Sequence, residues 1–242
     1  MELDKIYNED CLDGMKRIPD GSVDAIICDM PYGTTRNAWD SVIPLDKLWA
    51  QYKRIAKKNA AICLFAQTPF DKVLGCSNIE WLKYEWVWEK EMGTGFLNSK
   101  KMPLKIHENI LVFYKELPIY NPQFTKGYPY IIHCKGHSSN YGEQAGAVVV
   151  NDGKRYPNSI IEFSRDSDSF HPTQKPVDLL RYLIRTYSNE GDTILDNCMG
   201  SGTTAVACIK EKRHFIGFEL NQEYFEKACK RIDAERRQLT LF

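Results

Sequence analysis

Two short clusters of residues carry the types and spacing that chemistry on a nucleotide-like molecule needs. In the first, a buried-strand pattern over Val23, Ala25, Ile26, Ile27 and Cys28 stops at Asp29, and Met30, Pro31 and Tyr32 follow. A carboxylate at a strand terminus, carbonyls beside a proline that cannot donate, and an aromatic ring make a site that accepts N–H bonds and stacks a planar group. An exocyclic amine on a base suits it; a plain strand-ending turn is the alternative. In the second cluster, Gly200 and Gly202 flank Ser201 ahead of Thr203 and Thr204. Their missing side chains let backbone approach a ligand, and the helix that begins there offers free N–H groups and a partial positive charge. Glu219 closes the next strand, where an acid can accept bonds from both hydroxyls of a ribose. The spacing fits a dinucleotide or S-adenosylmethionine, and a tight turn with a surface glutamate is the simpler reading.

The elements around these clusters read as alternating strands and helices. Leu45 to Lys58 is predicted helical, with Leu48, Tyr52 and Ile55 on one face, and Ala60 to Phe65 is a second buried strand. Glu80 to Lys90 and Glu108 to Tyr114 are further strands, separated by a stretch holding Gly93 and Gly95. Trp81, Tyr84, Trp86 and Trp88 read as one face of a strand packed into the core. Ser159 to Phe163 is another strand, and Pro176 opens an amphipathic helix through Tyr187. After that comes a β-α-β-α unit: Thr193 to Leu195 ending in Asp196, helix Thr203 to Lys210, strand His214 to Glu219, and helix Gln222 to Arg237. Such a unit with a glycine-rich first turn seats a nucleoside at the C-terminal edge of a parallel sheet.

Composition bounds the rest. A chain of 242 residues, 43% hydrophobic and 26% charged, suits one large domain or one domain with an insertion. Its longest apolar run, Ala60 to Ala66, falls far short of the roughly 20 residues that span a bilayer. The acidic first residues lack a secretory pattern, so a cytoplasmic protein is expected. The cysteines are scattered with no Cys-x-x-Cys pair, which predicts reduced, mostly structural thiols. The 32 bases and 32 acids cancel, but residues 1–50 carry ten acids against five bases while 82–165 carry eleven bases against eight acids. Any nucleic-acid contact should therefore come from the middle of the chain.

Taken together, Asp29-Met30-Pro31-Tyr32, the block His171-Pro172-Thr173-Gln174-Lys175-Pro176, and Asp196-Asn197-Cys198-Met199-Gly200-Ser201-Gly202-Thr203-Thr204 resemble the amino-directed DNA methyltransferases. The catalytic motif precedes the cofactor motif, as in the β-group of that family, and the similarity spans roughly residues 5–235 with 116–157 unmatched. The resemblance implies a Rossmann-like, S-adenosylmethionine-dependent fold: an α/β, mostly parallel sheet with helices on both faces, a circularly permuted motif order and an inserted recognition segment. It divides the chain into a catalytic half, 1–115, a target-recognition insert, 116–157, and a cofactor-binding half, 158–242.

By the same resemblance, Asp29 and the Met30 carbonyl accept the two N–H bonds of the target amine, Pro31 belongs to the motif, and Tyr32 stacks on the base. Thr173, Gln174 and Lys175 lie by the methionine carboxylate of S-adenosylmethionine; Asp196, Gly200, Ser201, Gly202, Thr203 and Thr204 surround its methionine and sugar, and Glu219 takes the ribose. The family tends to carry Asp at the first motif position for adenine N6 and Ser for cytosine N4, so Asp29 points to N6-adenine methylation of a flipped-out base. Cytosine N4 is the near alternative, and a non-catalytic DNA-binding protein of the same fold the distant one. Two departures stand out: Met30 replaces the family's first proline, and Asn197-Cys198 replaces a Pro-Phe pair, leaving Phe218 as either an aromatic cofactor contact or a core residue.

The implied partner is DNA, with no membrane, as a monomer or homodimer; a companion restriction endonuclease is left open. His133, Cys134 and His137 have zinc-like spacing but no second pair, so no metal is expected. Lys100, Lys101 and Lys105 beside Gly93 and Gly95 form a basic loop that reads equally as a phosphate contact or a solvated surface. Sequence readout is expected from the irregular segment carrying Lys126, Lys135, His137, Asn140, Tyr141, Lys154 and Arg155.

Overall fold

Alternate residues of the central strands face opposite helical layers, and this fixes the architecture. In the computed structural model, which describes residues 1–33, 41–133, 137–138, 142–143, 148–167 and 173–239, Ala25 and Ile27 join one apolar cluster while Val23, Ile26 and Cys28 join the other. Ala61, Cys63 and Phe65 alternate with Ile62, Leu64 and Ala66 in the same way.

The larger of two compact units comprises residues 1–121 and 159–242. Its strands are β1 (Lys5–Tyr7), β2 (Val23–Cys28), β3 (Ala56–Ala66), β4 (Leu82–Thr94) and β5 (Lys105–Phe113). Later in the chain, after six short strands of the smaller unit, come β12 (Ile160–Glu162), β13 (Thr193–Asp196) and β14 (His214–Phe218). They form one eight-stranded sheet in the order β1-β14-β13-β2-β3-β5-β4-β12. β1, β14, β13, β2 and β3 run parallel, β5 is antiparallel to both β3 and β4, and β12 is parallel to β4.

Helices α1 (Cys11–Met15), α2 (Leu45–Ile55) and α3 (Phe70–Ser77) cover one face; α4 (Val177–Tyr187), α5 (Thr203–Lys210) and α6 (Gln222–Leu239) cover the other. This is a mostly parallel α/β sheet with both faces covered. No helix among the described residues is long and apolar enough to cross a membrane, and the described cysteines are all free thiols.

Two sequence expectations shift. The helix ends at Ile55, not Lys58, because Ala56 already pairs with Val23 and Lys57 crosses to Asp24 at 2.5 Å. Trp86 and Trp88 are buried on one face, but Trp81 precedes β4 and packs against the opposite cluster, while Tyr84 stays 38% exposed with its hydroxyl 2.7 Å from that of Tyr187.

The smaller unit, Pro122–Asn158, holds β6 (Thr125–Lys126), β7 (Tyr130–His133), β8 (His137–Ser138), β9 (Gly142–Glu143), β10 (Val148–Asn151) and β11 (Lys154–Arg155). They pair antiparallel as β7 with β10, β6 with β11 and β8 with β9. Arg155 ties this unit together: its guanidinium lies over the Tyr130 ring and donates to Asn151 Oδ1 and to the Tyr128 carbonyl. Lys135, Asn140, Tyr141 and Cys134 lie outside the described residues, as does the side chain of His137.

Candidate active site

Parallel strands that end together bring their terminal residues to one edge, and here β2 ends beside Asp29 while β13 ends in Asp196 and β14 leads into Glu219. A cavity of about 780 Å³ opens at that edge. Asp29, Met30, Pro31 and Tyr32 line it, with Thr173, Gln174 and Lys175, and so do Asp196, Gly200, Ser201, Thr203, Thr204 and Glu219. Residues as far apart in the chain as Asp29 and Glu219 thus share one wall. His171 and Pro172 lie outside the described residues.

On the side of Asp29, charges alternate. Lys175 Nζ donates to Asp29 Oδ2 at 2.5 Å and stands 3.2 Å from Glu108 Oε2. Glu108 in turn accepts from Lys90 and, at 2.9 Å, from Gln67 Nε2. The other Asp29 oxygen accepts from the Tyr32 hydroxyl at 2.6 Å, and the Tyr32 ring stacks on Phe70 with centroids 5.5 Å apart. Buried charges persist only when paired in this manner. Burial pushes the Asp29 carboxyl above its ordinary value, with Lys175 pulling it back. Burial likewise acts to raise Glu108, but the two lysines hold it below the usual carboxylate value. For Lys175 burial works the other way, and Asp29 with Glu108 keeps the ammonium above the ordinary lysine value.

Another part of the cavity wall is built by hydrogen bonds to the glycine turn. Asp196 Oδ1 accepts from Cys198 N at 3.0 Å and Oδ2 from Thr204 Oγ1 at 2.5 Å, so one carboxylate fastens both ends of the turn. Its pKa is pushed up to about 6, chiefly by burial. Glu219 Oε2 accepts from Gly200 N and Oε1 from Asn221 N, each at 2.8 Å. A carboxylate oxygen has two lone pairs, so both oxygens retain capacity for a ligand's hydroxyls. Gly202 sits outside the cavity lining at φ +77°, where an added Cβ would stand 3.2 Å from that of Ala228. Arg231 braces the same turn by donating to Thr203 Oγ1 at 2.9 Å.

Met30 is 3% exposed and buries its side chain in the core, and Phe218 is fully buried while still contributing to the cavity wall. Sequence reading missed Glu108, Lys90 and Gln67. Glu108 begins an apolar run and offers no local signal, since its partners come from β4, the end of β3 and the approach to α4.

A DNA methylase family profile matches residues 23–230. The chain is a member of this DNA methylase family. It is 30% identical to the DNA adenine methyltransferase YhdJ of Escherichia coli K12 over 96% of this chain and 83% of that one. With the type II methyltransferase M1.MboII of Moraxella bovis it shares 28% identity over 94% and 96% of the two chains. The M1.HpyAVI–SAM complex superposes with a TM-score of 0.66 at 25% identity, covering 94% of this chain and 98% of that one. The DNA methylase described here is therefore an amino-directed DNA methyltransferase, acting on adenine N6 or cytosine N4. Asp29 and the glycine turn fall within the matched span, and both line one cavity.

Proposed function

We propose that this DNA methyltransferase methylates the N6 amine of a flipped-out adenine. The observation that carries the reading is the Asp29 carboxylate, which stands at the end of β2 in the same cavity as the Gly200 turn and Glu219. The resemblance assigns Asp at this motif position to adenine, and the name of the Escherichia coli relative agrees with it.

The cavity fits S-adenosylmethionine. Glu219 has lone pairs for ribose hydroxyls, backbone N–H groups begin α5 at the turn, and the volume of about 780 Å³ leaves space beside them for a base. When bound, S-adenosylmethionine supplies an activated methyl group. Glu219 holds the sugar, and Asp196 keeps the turn from Cys198 to Thr204 in shape. The catalytic motif lies N-terminal to this turn, and we read that order as a circular permutation of the family fold.

The protein's part in the chemistry is orientation. Adenine N6 is a weak nucleophile because its lone pair is delocalised into the ring. Asp29 and the Met30 carbonyl accept its two N–H bonds and draw the nitrogen towards tetrahedral geometry, which aims the lone pair out of the ring plane. Pro31 fixes the chain after that carbonyl, and Tyr32 leaves Asp29 Oδ1 to stack on the base. Lys175 works from the Asp29 side, as the counter-ion that keeps this carboxylate ionised in a buried site. The target base must leave the duplex, at a few kcal/mol that stacking and these bonds offset.

The test incubates the purified protein with unmethylated genomic DNA and labelled S-adenosylmethionine, then digests the DNA to nucleosides and identifies the methylated one by mass. N6-methyladenine from the wild type and none from Asp29→Ala is the expected result. N4-methylcytosine would replace the base assignment.

A further inference from the structure

The β4–β5 hairpin carries a feature that the methyl-transfer reading does not use. Ala66, the last residue of β3, pairs with Asn109, so the first residues of β5 and the last of β4 lie at the same sheet edge as Asp29. Trp88 pairs with Glu108 at the cavity wall, and Thr94 pairs with Lys105 farther out. Two residues of β5 stand between those rungs, and Thr94 itself lines the cavity, so the hairpin tip begins at the cavity rim.

That tip is apolar and basic at once. Phe96 is 74% and Leu97 85% exposed, in a single 3-10 turn that starts after Gly95 at φ +87°. Met92 and Met102, also exposed, flank them. Lys100, Lys101 and Lys105 take part in no ion pair among the described residues, and between residues 92 and 105 there is no acid to offset them. A monomer does not gain from an exposed phenylalanine and leucine surrounded by unpaired lysines, whereas a polyanion with a hydrophobic interior matches both features.

We propose that this hairpin tip enters the DNA duplex next to the target, with Phe96 and Leu97 filling the space that the extruded nucleotide leaves and Lys100, Lys101 and Lys105 on the flanking phosphates. The inference rests on the base-flipping reading above. Apolar wedges of Phe, Leu or Met stabilise an opened base step in this manner, because they replace the stacking that extrusion removes. The wedge stands on the stem that also carries Lys90 and Glu108, so insertion and the charge chain at Asp29 share one rigid support.

The test compares wild type with the Phe96→Ala/Leu97→Ala double variant on two oligonucleotide duplexes built on a site mapped from methylated genomic DNA. In one duplex the target adenine is paired; in the other it faces an abasic position, where extrusion is nearly free. The variant is expected to lose about tenfold or more in kcat/KM on the paired duplex and less than about threefold on the abasic one. Separately, Lys100→Ala/Lys101→Ala should lower the dependence of DNA affinity on salt by about one unit of slope per lysine. An equal loss on both duplexes, no loss on either, or a change in oligomeric state by light scattering would overturn the wedge. A wild type inactive on both duplexes would instead overturn the base-flipping reading, and the wedge with it.

Discussion

Lys175 Nζ lies 2.5 Å from Asp29 Oδ2, across 146 residues of chain, and this contact binds the approach to α4 to the end of β2. With Tyr32 on the other oxygen, Asp29 is held by two donors before any base arrives. Methyl transfer as proposed needs Asp29 ionised. Burial raises its pKa and Lys175 opposes that rise, so wild-type kcat is expected to fall as the pH drops through a value above the ordinary carboxylate range. Lys175→Met removes the opposing charge and leaves Glu108 nearby. The acid limb should then move to higher pH, with activity partly regained in alkaline buffer. A kcat–pH profile of the two proteins reads this directly, and an unmoved limb would detach Lys175 from Asp29.

Glu108 is the centre of the charge chain, between Lys90 and Lys175, with side-chain exposures of 6%, 4% and 8% for the three. Glu108→Gln keeps the shape and removes the carboxylate with which Lys90 pairs, leaving Lys90 facing the positive charges of Lys175 and Arg165. Breaking one side of a buried pair costs about 3–5 kcal/mol. Urea unfolding at neutral pH should show a loss of that order, and a loss under about 1 kcal/mol would mean that water already solvates these lysines.

Gly202 combines a left-handed φ of +77° with a crowded neighbour, the Ala228 Cβ at 3.2 Å. Gly21 has a similar φ of +58° but nothing within 4 Å. Both Gly→Ala variants should lose about 1–3 kcal/mol from backbone strain. Only Gly202→Ala should also weaken S-adenosylmethionine binding, because the turn must shift from Ala228 to relieve the contact. Calorimetric titration alongside thermal melts separates the two effects.

The sheet was legible wherever a strand is buried on both faces. Val23 to Cys28, Ala60 to Phe65 and Thr193 to Asp196 are apolar runs too short for helices, and each ends at a residue that changes character. The three-residue β1 and five-residue α1 were not, since neither is long enough to display a period; α1 is fixed by Asp10, whose carboxylate caps Leu12 N at 2.8 Å. Of the cavity, Asp29, the glycine turn and Glu219 could be picked out because each sits where a strand meets a loop. Glu108 and Lys90 could not. Their positions on adjacent antiparallel strands become a pair only through the β4–β5 register, and no spacing in the chain encodes that register.

Asp196 offers a check on the cofactor end that does not depend on activity. It is 4% exposed, and its pKa stands at about 6 in the folded protein against an ordinary value of 3.8. Between those two values the folded state keeps the proton while the unfolded chain has lost it. The stabilisation from this group is complete below 3.8 and is lost as the pH rises through 6, a change of at most roughly 3 kcal/mol. Asp196→Asn does not titrate. It can still accept from Cys198 N, and its amide can donate to the Thr204 hydroxyl in place of the bond that is lost. The melting temperature of the variant relative to wild type should therefore climb between pH 4 and 6.5 and level off above. Titrating groups that do not interact with Asp196 are common to both proteins and cancel in the difference, and Asp29, whose charge raises Asp196, is removed from the comparison by measuring the pair in an Asp29→Asn background. A gap that stays constant across this range would show that the buried carboxylate is ionised throughout, held by Thr204 and the Cys198 N–H more strongly than burial opposes it.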